Sequence, residues 1–211
     1  MVFVSGGTGY MGGAVIPELL KAGESVRVLA RAGSESKVSA GAQIVTGNAL
    51  DAASFARAVN GCGTYLHMVG TPHPTPWKGE QFRRIDLVAL RQSVLAAQSA
   101  GVEHFVYISV AQPAPMMREY VEVRKECERC LVDSGLTSTI LRPWYVLGPG
   151  HWWPYALVPV YRLLEAIPAT RDGAQRLGLV TLRQMKNAIV TTVLNRNRSL
   201  CVLGVPEIRR L

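Results

Sequence analysis

The strongest constraint on this chain lies in its first thirteen residues. Val2-Phe3-Val4-Ser5 is short and apolar, and it runs directly into Gly6-Gly7-Thr8-Gly9-Tyr10-Met11-Gly12-Gly13. A helix pattern follows, with Ile16, Leu19 and Leu20 on one face. The spacing Gly6-x-x-Gly9-x-x-Gly12 between a strand and a helix assigns each glycine a job. Gly6 permits a tight turn, Gly9 lets backbone approach a pyrophosphate, and Gly12 lets the helix pack on the strand. The helix N-terminus then offers free N–H groups to an anion. A plain strand-to-helix turn needs no such spacing, so the motif predicts a dinucleotide site. Thr8, Tyr10 and Met11 flank the glycines and join them as expected contacts.

The rest of the first two-thirds repeats the strand–helix alternation. Strand-like segments are predicted over 26–30, 43–46, 64–69, 104–110 and 137–141, with helices over 11–22, 51–59, 79–100 and 117–133. Six strands separated by helices predict an α/β fold with a doubly wound parallel sheet, the Rossmann architecture. Residues 71–78 carry Pro72, Pro74 and Pro76 and read as a loop.

Composition narrows the class. The 211 residues are 48% hydrophobic and 18% charged, which excludes a disordered chain. The net charge of +8 resembles a nucleic-acid signature until it is mapped. Residues 1–170 carry only +2, residues 171–211 carry +6, and basic residues never run five in a row. The expectation is no nucleic-acid partner. No apolar stretch reaches the ~20 residues of a membrane span. The glycine motif begins at residue 6, so no leader is expected, and the setting reads as cytoplasmic. Cys62, Cys127, Cys130 and Cys201 then read as reduced thiols. Cys127-x-x-Cys130 sits in a helical pattern without a second ligand pair, so no metal is expected.

The end of the second strand discriminates between cofactors. A free ribose 2′-hydroxyl calls for an acid there; this chain has Ala30-Arg31. A guanidinium suits a 2′-phosphate, so NADP is expected ahead of NAD.

Five stretches together resemble the short-chain dehydrogenase/reductase superfamily, in its atypical NmrA-like and NAD-dependent epimerase-like branch. They are the glycine loop, Gly47-Asn48-Ala49-Leu50-Asp51, Ala100-Gly101-Val102-Glu103-His104-Phe105-Val106-Tyr107-Ile108-Ser109, Arg124-Lys125-Glu126-Cys127-Glu128, and Ser134-Gly135-Leu136 through Thr139-Ile140-Leu141-Arg142-Pro143. The resemblance implies adenine contacts at Asn48 and Ala49, where the usual Asp and Leu are replaced. It implies that Val69 and Gly70 border the nicotinamide ribose. It also implies catalysis by Ser109, Tyr120 and the residue four beyond Tyr120. That residue is Arg124, where the family has Lys. Arg keeps the positive charge but effectively never releases a proton. Tyr120 and Arg124 share one helical face, and two readings stand: a catalytic pair or a helix-surface pair. Asp86 falls where relatives often carry Asn, and His67 reads as a core histidine.

After Pro143 the texture changes. Trp144, Tyr145, Trp152, Trp153, Tyr155 and Tyr161 crowd together with Pro149, Pro154 and Pro159. The expected division is a cofactor domain over 1–145 and a small C-terminal lobe over 146–211. The lobe has three readings: a substrate lid with His73 and His151 nearby, a partner surface, or plain core. The leading functional expectation is an NADP-dependent oxidoreductase acting on a small molecule. The alternatives are a non-catalytic NAD(P)-binding redox sensor or assembly subunit, and a nucleotide-sugar epimerase. An oligomer is compatible with all three.

Overall fold

A computed structural model describes residues 1–72, 74–149, 153–195 and 200–211. His73, His151, Trp152 and the side chain of Trp153 lie outside the described part. The first half holds β1 (Val2–Ser5), α1 (Tyr10–Lys21), β2 (Val26–Ala30), β3 (Gln43–Thr46), α2 (Ala56–Val59) and β4 (Thr64–His67). A short α3 (Gly79–Gln81) continues through a π-helical stretch (Phe82–Leu87) into α4 (Val88–Ser99). Next come β5 (His104–Ile108), α5 (Arg118–Asp133) and β6 (Ser138–Leu141). The remainder is β7 (Tyr145–Leu147), α6 (Val158–Ala166), α7 (Pro168–Arg176), β8 (Leu179–Thr181), α8 (Leu182–Leu194), β9 (Cys201–Leu203) and α9 (Val205–Arg210).

The main sheet has the order β3-β2-β1-β4-β5-β6-β9, and every pairing is parallel. This is the Rossmann architecture. The winding reverses between β1 and β4, so the loops after those two strands flank a crevice at the carboxyl edge of the sheet.

Strand periodicity sorts the core. Phe3, Tyr65, Phe105 and Tyr107 point to the face covered by α4 and α5. Val2, Val4, Leu66, Val106 and Ile108 point to the face covered by α1 and α8. One face is therefore aromatic and the other aliphatic, because alternate residues of a strand face opposite ways. Phe3, Tyr65 and Phe105 line up across three neighbouring strands, with ring centroids 5.1 and 5.0 Å apart.

Residues after 145 do two things. β7 pairs with β8 in a separate two-stranded parallel sheet, with α6 and α7 between them in sequence. No residue of α6 is buried. The chain then returns to the main sheet. α8 starts on a capping box, in which Thr181 Oγ1 accepts from Gln184 N at 3.1 Å and Gln184 Oε1 accepts from Thr181 N at 2.9 Å. Its buried Met185, Ala188, Ile189 and Val193 join the aliphatic core. β9 pairs with β6 as a seventh strand, and α9 adds Val205 and Ile208 to the same core. Periodicity gave no sign of β9, because a three-residue strand is too short to show alternation.

The aromatic face also carries a buried polar group. His67 Nδ1 lies 2.9 Å from Ser5 Oγ and 3.0 Å from Ser93 Oγ, and the Tyr65 hydroxyl donates to Ser93 Oγ at 3.0 Å. Among the described residues His67 Nε2 has no partner. Burial, reinforced by the Arg124 charge, lowers the His67 pKa from 6.5 to about 3. The folded state keeps this ring neutral while the unfolded chain protonates it. Stability is therefore complete above pH 6.5 and falls as pH drops toward 3, by up to about 1.4 kcal/mol per pH unit. His67→Phe is expected to flatten this part of the stability-against-pH curve, measured by urea denaturation. Because α8 belongs to the same core, Ile189→Ala is expected to cost about 2–4 kcal/mol in one cooperative urea transition.

Candidate cofactor and active site

The glycine loop is built from backbone-to-backbone contacts. Gly6 has φ +82°, and a Cβ there would lie 2.5 Å from Met68 C and 2.7 Å from Val69 N. Gly6 thus meets both demands that only glycine satisfies, a left-handed conformation and a close approach of chain. It seats the β1 loop directly against the β4 loop. A Cβ on Gly12 would overlap the Gly7 carbonyl, so α1 packs onto its own loop. The loop closes through Gly9 N to Gly6 O at 3.1 Å and Gly13 N to Gly9 O at 3.0 Å. Gly9 caps α1 without a side-chain hydrogen bond, and the first turn holds no acid. A helix start without an acid or a side-chain cap suits a phosphate.

The flanking residues fall around this crevice. Tyr10, at the start of α1, reaches across to the lobe: a Cβ on Gly148 would collide with its hydroxyl. Burial and the neighbouring Tyr155 raise its pKa. Met11 packs at the edge of the aliphatic core, and Thr8 is half-buried in the loop. Arg31 is exposed at the end of β2, on the far side of β1 from β4. Asn48 and Ala49 follow β3. Asn48 Oδ1 accepts from Leu50 N at 3.0 Å, so the carbonyl shapes its own loop. Val69 and Gly70 lie in the β4 loop.

The three residues expected at the chemistry divide into two groups. Ser109, at the end of β5, donates its hydroxyl to the Glu128 carboxylate on α5. Glu128 is also held by Arg142, through Nε at 3.0 Å and a second bond from Nη2. Tyr120 and Arg124 turn instead toward the π-helical stretch. The Tyr120 ring packs on Phe82, centroids 4.9 Å apart, and Arg124 sits 5.1 Å over the Tyr120 ring. Burial raises the Tyr120 pKa, with the Arg124 charge acting the other way.

Arg124 is not a surface residue. It is buried, and its Nη2 donates to Asp86 Oδ1 at 2.6 Å. Its Nη1 donates to the Tyr107 hydroxyl at 3.0 Å and the Ile108 carbonyl at 3.1 Å. Burial works against its charge, but Tyr107, Tyr120 and Asp86 outweigh that and keep it protonated. Asp86, which resembled an ordinary helix position, is the counter-charge. Its second oxygen accepts from Thr71 N at 3.0 Å and Thr71 Oγ1 at 2.6 Å. Asp86, Thr71, Tyr107 and Glu128 are the site residues that sequence reasoning did not assign. An acid in an apolar helix stretch was the available signal for Asp86, since a buried acid needs a partner. Cys127 lies nearby; burial pushes its thiol up to about 11, which makes it a poor nucleophile.

Among the described residues no group of three or more His, Cys, Asp or Glu is placed to hold a metal. Nor is any helix there long and apolar enough to cross a membrane.

The NAD(P)H-binding family model matches residues 6–149. The chain is 24% identical over 152 residues to ceramide reductase of Caulobacter vibrioides, covering 71% of this chain and 47% of that protein. It is 25% identical over 201 residues to the 4-hydroxy-2-methyl-3-oxo-4-farnesyl-3,4-dihydroquinoline-1-oxide ketoreductase of Stigmatella aurantiaca, covering 83% and 58%. The chain thus spans about half the length of these curated relatives. Among solved structures, MoeE5 in complex with UDP-glucuronic acid and NAD superimposes with a TM-score of 0.73 at 22% identity, covering 97% of this chain and 75% of that one. With the family model spanning residues 6–149, the glycine cradle at the switch point of a Rossmann sheet belongs to a member of the NAD(P)H-binding family.

Proposed function

We propose that the chain binds NADPH across the crevice and acts as a reductase of a small molecule. The observation that carries this reading is the cradle itself: Gly6 and Gly12 in contacts no side chain permits, beneath an uncapped helix start. Gly6, Thr8, Gly9, Tyr10, Met11 and Gly12 would hold the pyrophosphate, with Asn48 and Ala49 at the adenine and Val69 and Gly70 at the nicotinamide ribose. Arg31 would meet a 2′-phosphate, and its exposure beyond β2 leaves it free to do so. The bound cofactor supplies a hydride to the substrate. The substrate then needs a proton, and Tyr120 is the donor in this proposal. Burial raises its pKa and so weakens it as an acid, and the Arg124 charge beside it acts in the direction that eases proton release. Of residues 146–211, the stretch from β7 through β8 would bound the substrate, with Tyr10 against Gly148 as its seam to the cofactor part, while α8, β9 and α9 belong to the core of the sheet. The two relatives are named for a ceramide and a farnesylated quinoline oxide. Those names support an apolar carbonyl compound as the substrate class.

A second reading, cofactor binding without turnover, is favoured by one specific observation. The Ser109 hydroxyl and the Arg124 terminal nitrogens are all engaged inside the fold.

Titration calorimetry is expected to give about tenfold tighter binding of NADPH than of NADH, with Arg31→Ala erasing the difference. Equal affinities in the wild type would remove the 2′-phosphate role. With apolar ketones and quinones offered as acceptors, Tyr120→Phe is expected to lower cofactor oxidation by about 100-fold or more, with NADPH affinity nearly unchanged. Full activity in that variant would refute the proton-donor role. Tight NADPH binding with no oxidation by any acceptor would favour the second reading.

A further inference from the structure

A widened helical turn, a buried ion pair and one glycine converge beneath the β4 loop. Phe82 and Asp86 stand four residues apart in the π-helical stretch, and Tyr120 and Arg124 stand four apart in α5. They meet as two matched pairs, ring against ring and carboxylate against guanidinium. π-Helical insertions are rare and concentrate at functional positions.

The second Asp86 oxygen leaves the helices and holds the loop, through both the backbone N and the hydroxyl of Thr71. Arg124 lies directly under the preceding residue: a Cβ on Gly70 would sit 2.6 Å from its Nη2. The other end of this loop, Met68 and Val69, is the backbone that abuts Gly6. One loop is therefore bolted to the helices at 70–71 and pressed on the phosphate cradle at 68–69. Arg31 and Asn48 lie on the opposite side of β1, so the β4 side faces the other half of the dinucleotide.

We infer that Asp86, Arg124 and Thr71 form a clamp that fixes the β4 loop and thereby sets affinity for the nicotinamide-ribose half of the cofactor. Asp86 and Thr71 are positioning residues. Arg124 acts through the loop and is not a stand-in for the family lysine. Arg124 spreads its bonds to Asp86, the Tyr107 hydroxyl and the Ile108 carbonyl over two nitrogens of a planar fork, whereas a lysine has all its donors on one nitrogen. The inference rests on the cofactor reading above.

The test compares two ligands. NADPH spans both halves of the site, whereas adenosine 2′,5′-bisphosphate occupies only the adenosine half. Calorimetric titrations would use the wild type, Asp86→Asn, Arg124→Lys and Thr71→Val. Thr71→Val leaves the buried ion pair intact, which guards against variants that fail to fold. Each folded variant is expected to bind NADPH about tenfold more weakly, with bisphosphate affinity changed less than about twofold. Bound-NADPH fluorescence is expected to shift with it, as the nicotinamide loses its fixed surroundings. Arg124→Lys that binds NADPH as well as or better than the wild type would overturn the clamp. So would Thr71→Val that weakens both ligands in parallel. A wild type that binds the bisphosphate and NADPH equally well overturns the clamp alone; one that binds neither overturns the cofactor reading and the clamp together.

Discussion

Asp86 and Arg124 form an ion pair almost wholly removed from water, and much of the α4–α5 side of the sheet is arranged to make that tolerable. Taking either charge out of water is costly, and mutual attraction repays it only when the remaining hydrogen-bonding capacity is also met. Here Thr71 supplies two donors to the carboxylate, and Tyr107 and Ile108 supply two acceptors to the guanidinium. Of the polar side-chain atoms of the two partners, Arg124 Nε has no partner among the described residues. Four separate pieces of chain are drawn to one point: the β4 loop, the π-helical stretch, the end of β5 and α5. A pair of this kind adds little net stability over an apolar equivalent, but it dictates geometry sharply.

The same face of the sheet explains why the polar atoms gather there. The period of two puts Phe3, Tyr65, His67, Phe105 and Tyr107 on the α4–α5 side. Tyrosine and histidine are largely apolar rings with polar tips. Once such rings fill a core, their tips must be satisfied inside it. Ser5 and Ser93 serve Tyr65 and His67, and Arg124 serves Tyr107. The aliphatic face has no such requirement and is packed with Val, Ile, Leu and Ala from α1 and α8. The glycine loop thus depends on bare backbone and the Asp86–Arg124 cluster on buried side chains, with the short β4 loop between them.

This division also accounts for what could be read in the chain before its structure. The glycine loop is local: Gly6 makes the tight turn its spacing predicts, and Gly12 brings α1 against Gly7 of the loop itself. The alternation of strands and helices is likewise local and gives the parallel sheet. Contacts between distant segments leave no such trace. Asp86 looks like an ordinary helix position until α5 brings Arg124 against it. Ser109 occupies the expected strand end, but its hydroxyl is directed by Glu128 and Arg142, which lie 19 residues and further along the chain. The widening of the helix over Phe82–Leu87 is invisible to a pattern scan, since one extra residue per turn shifts periodicity by less than the scatter of apolar positions. β9 escapes for a different reason, being only three residues long.

Packing density then separates the two halves of the site. The cradle is held by backbone contacts too close for any Cβ, and the β4 loop is fixed at both ends. This side has little freedom to adapt, and its ligand must fit the shape presented. The lobe differs. α6 buries no residue and exposes Val160 and Leu163, at 50% and 64%. It is tied back chiefly through α7 and the Glu165–Arg209 ion pair at 2.9 Å. A segment with few buried contacts opens at lower cost than the core beneath it. Contacts too close for a Cβ leave the glycine loop no room to shift, whereas α6 has no buried residue to hold it, so the two parts of the chain differ sharply in what it costs to move them.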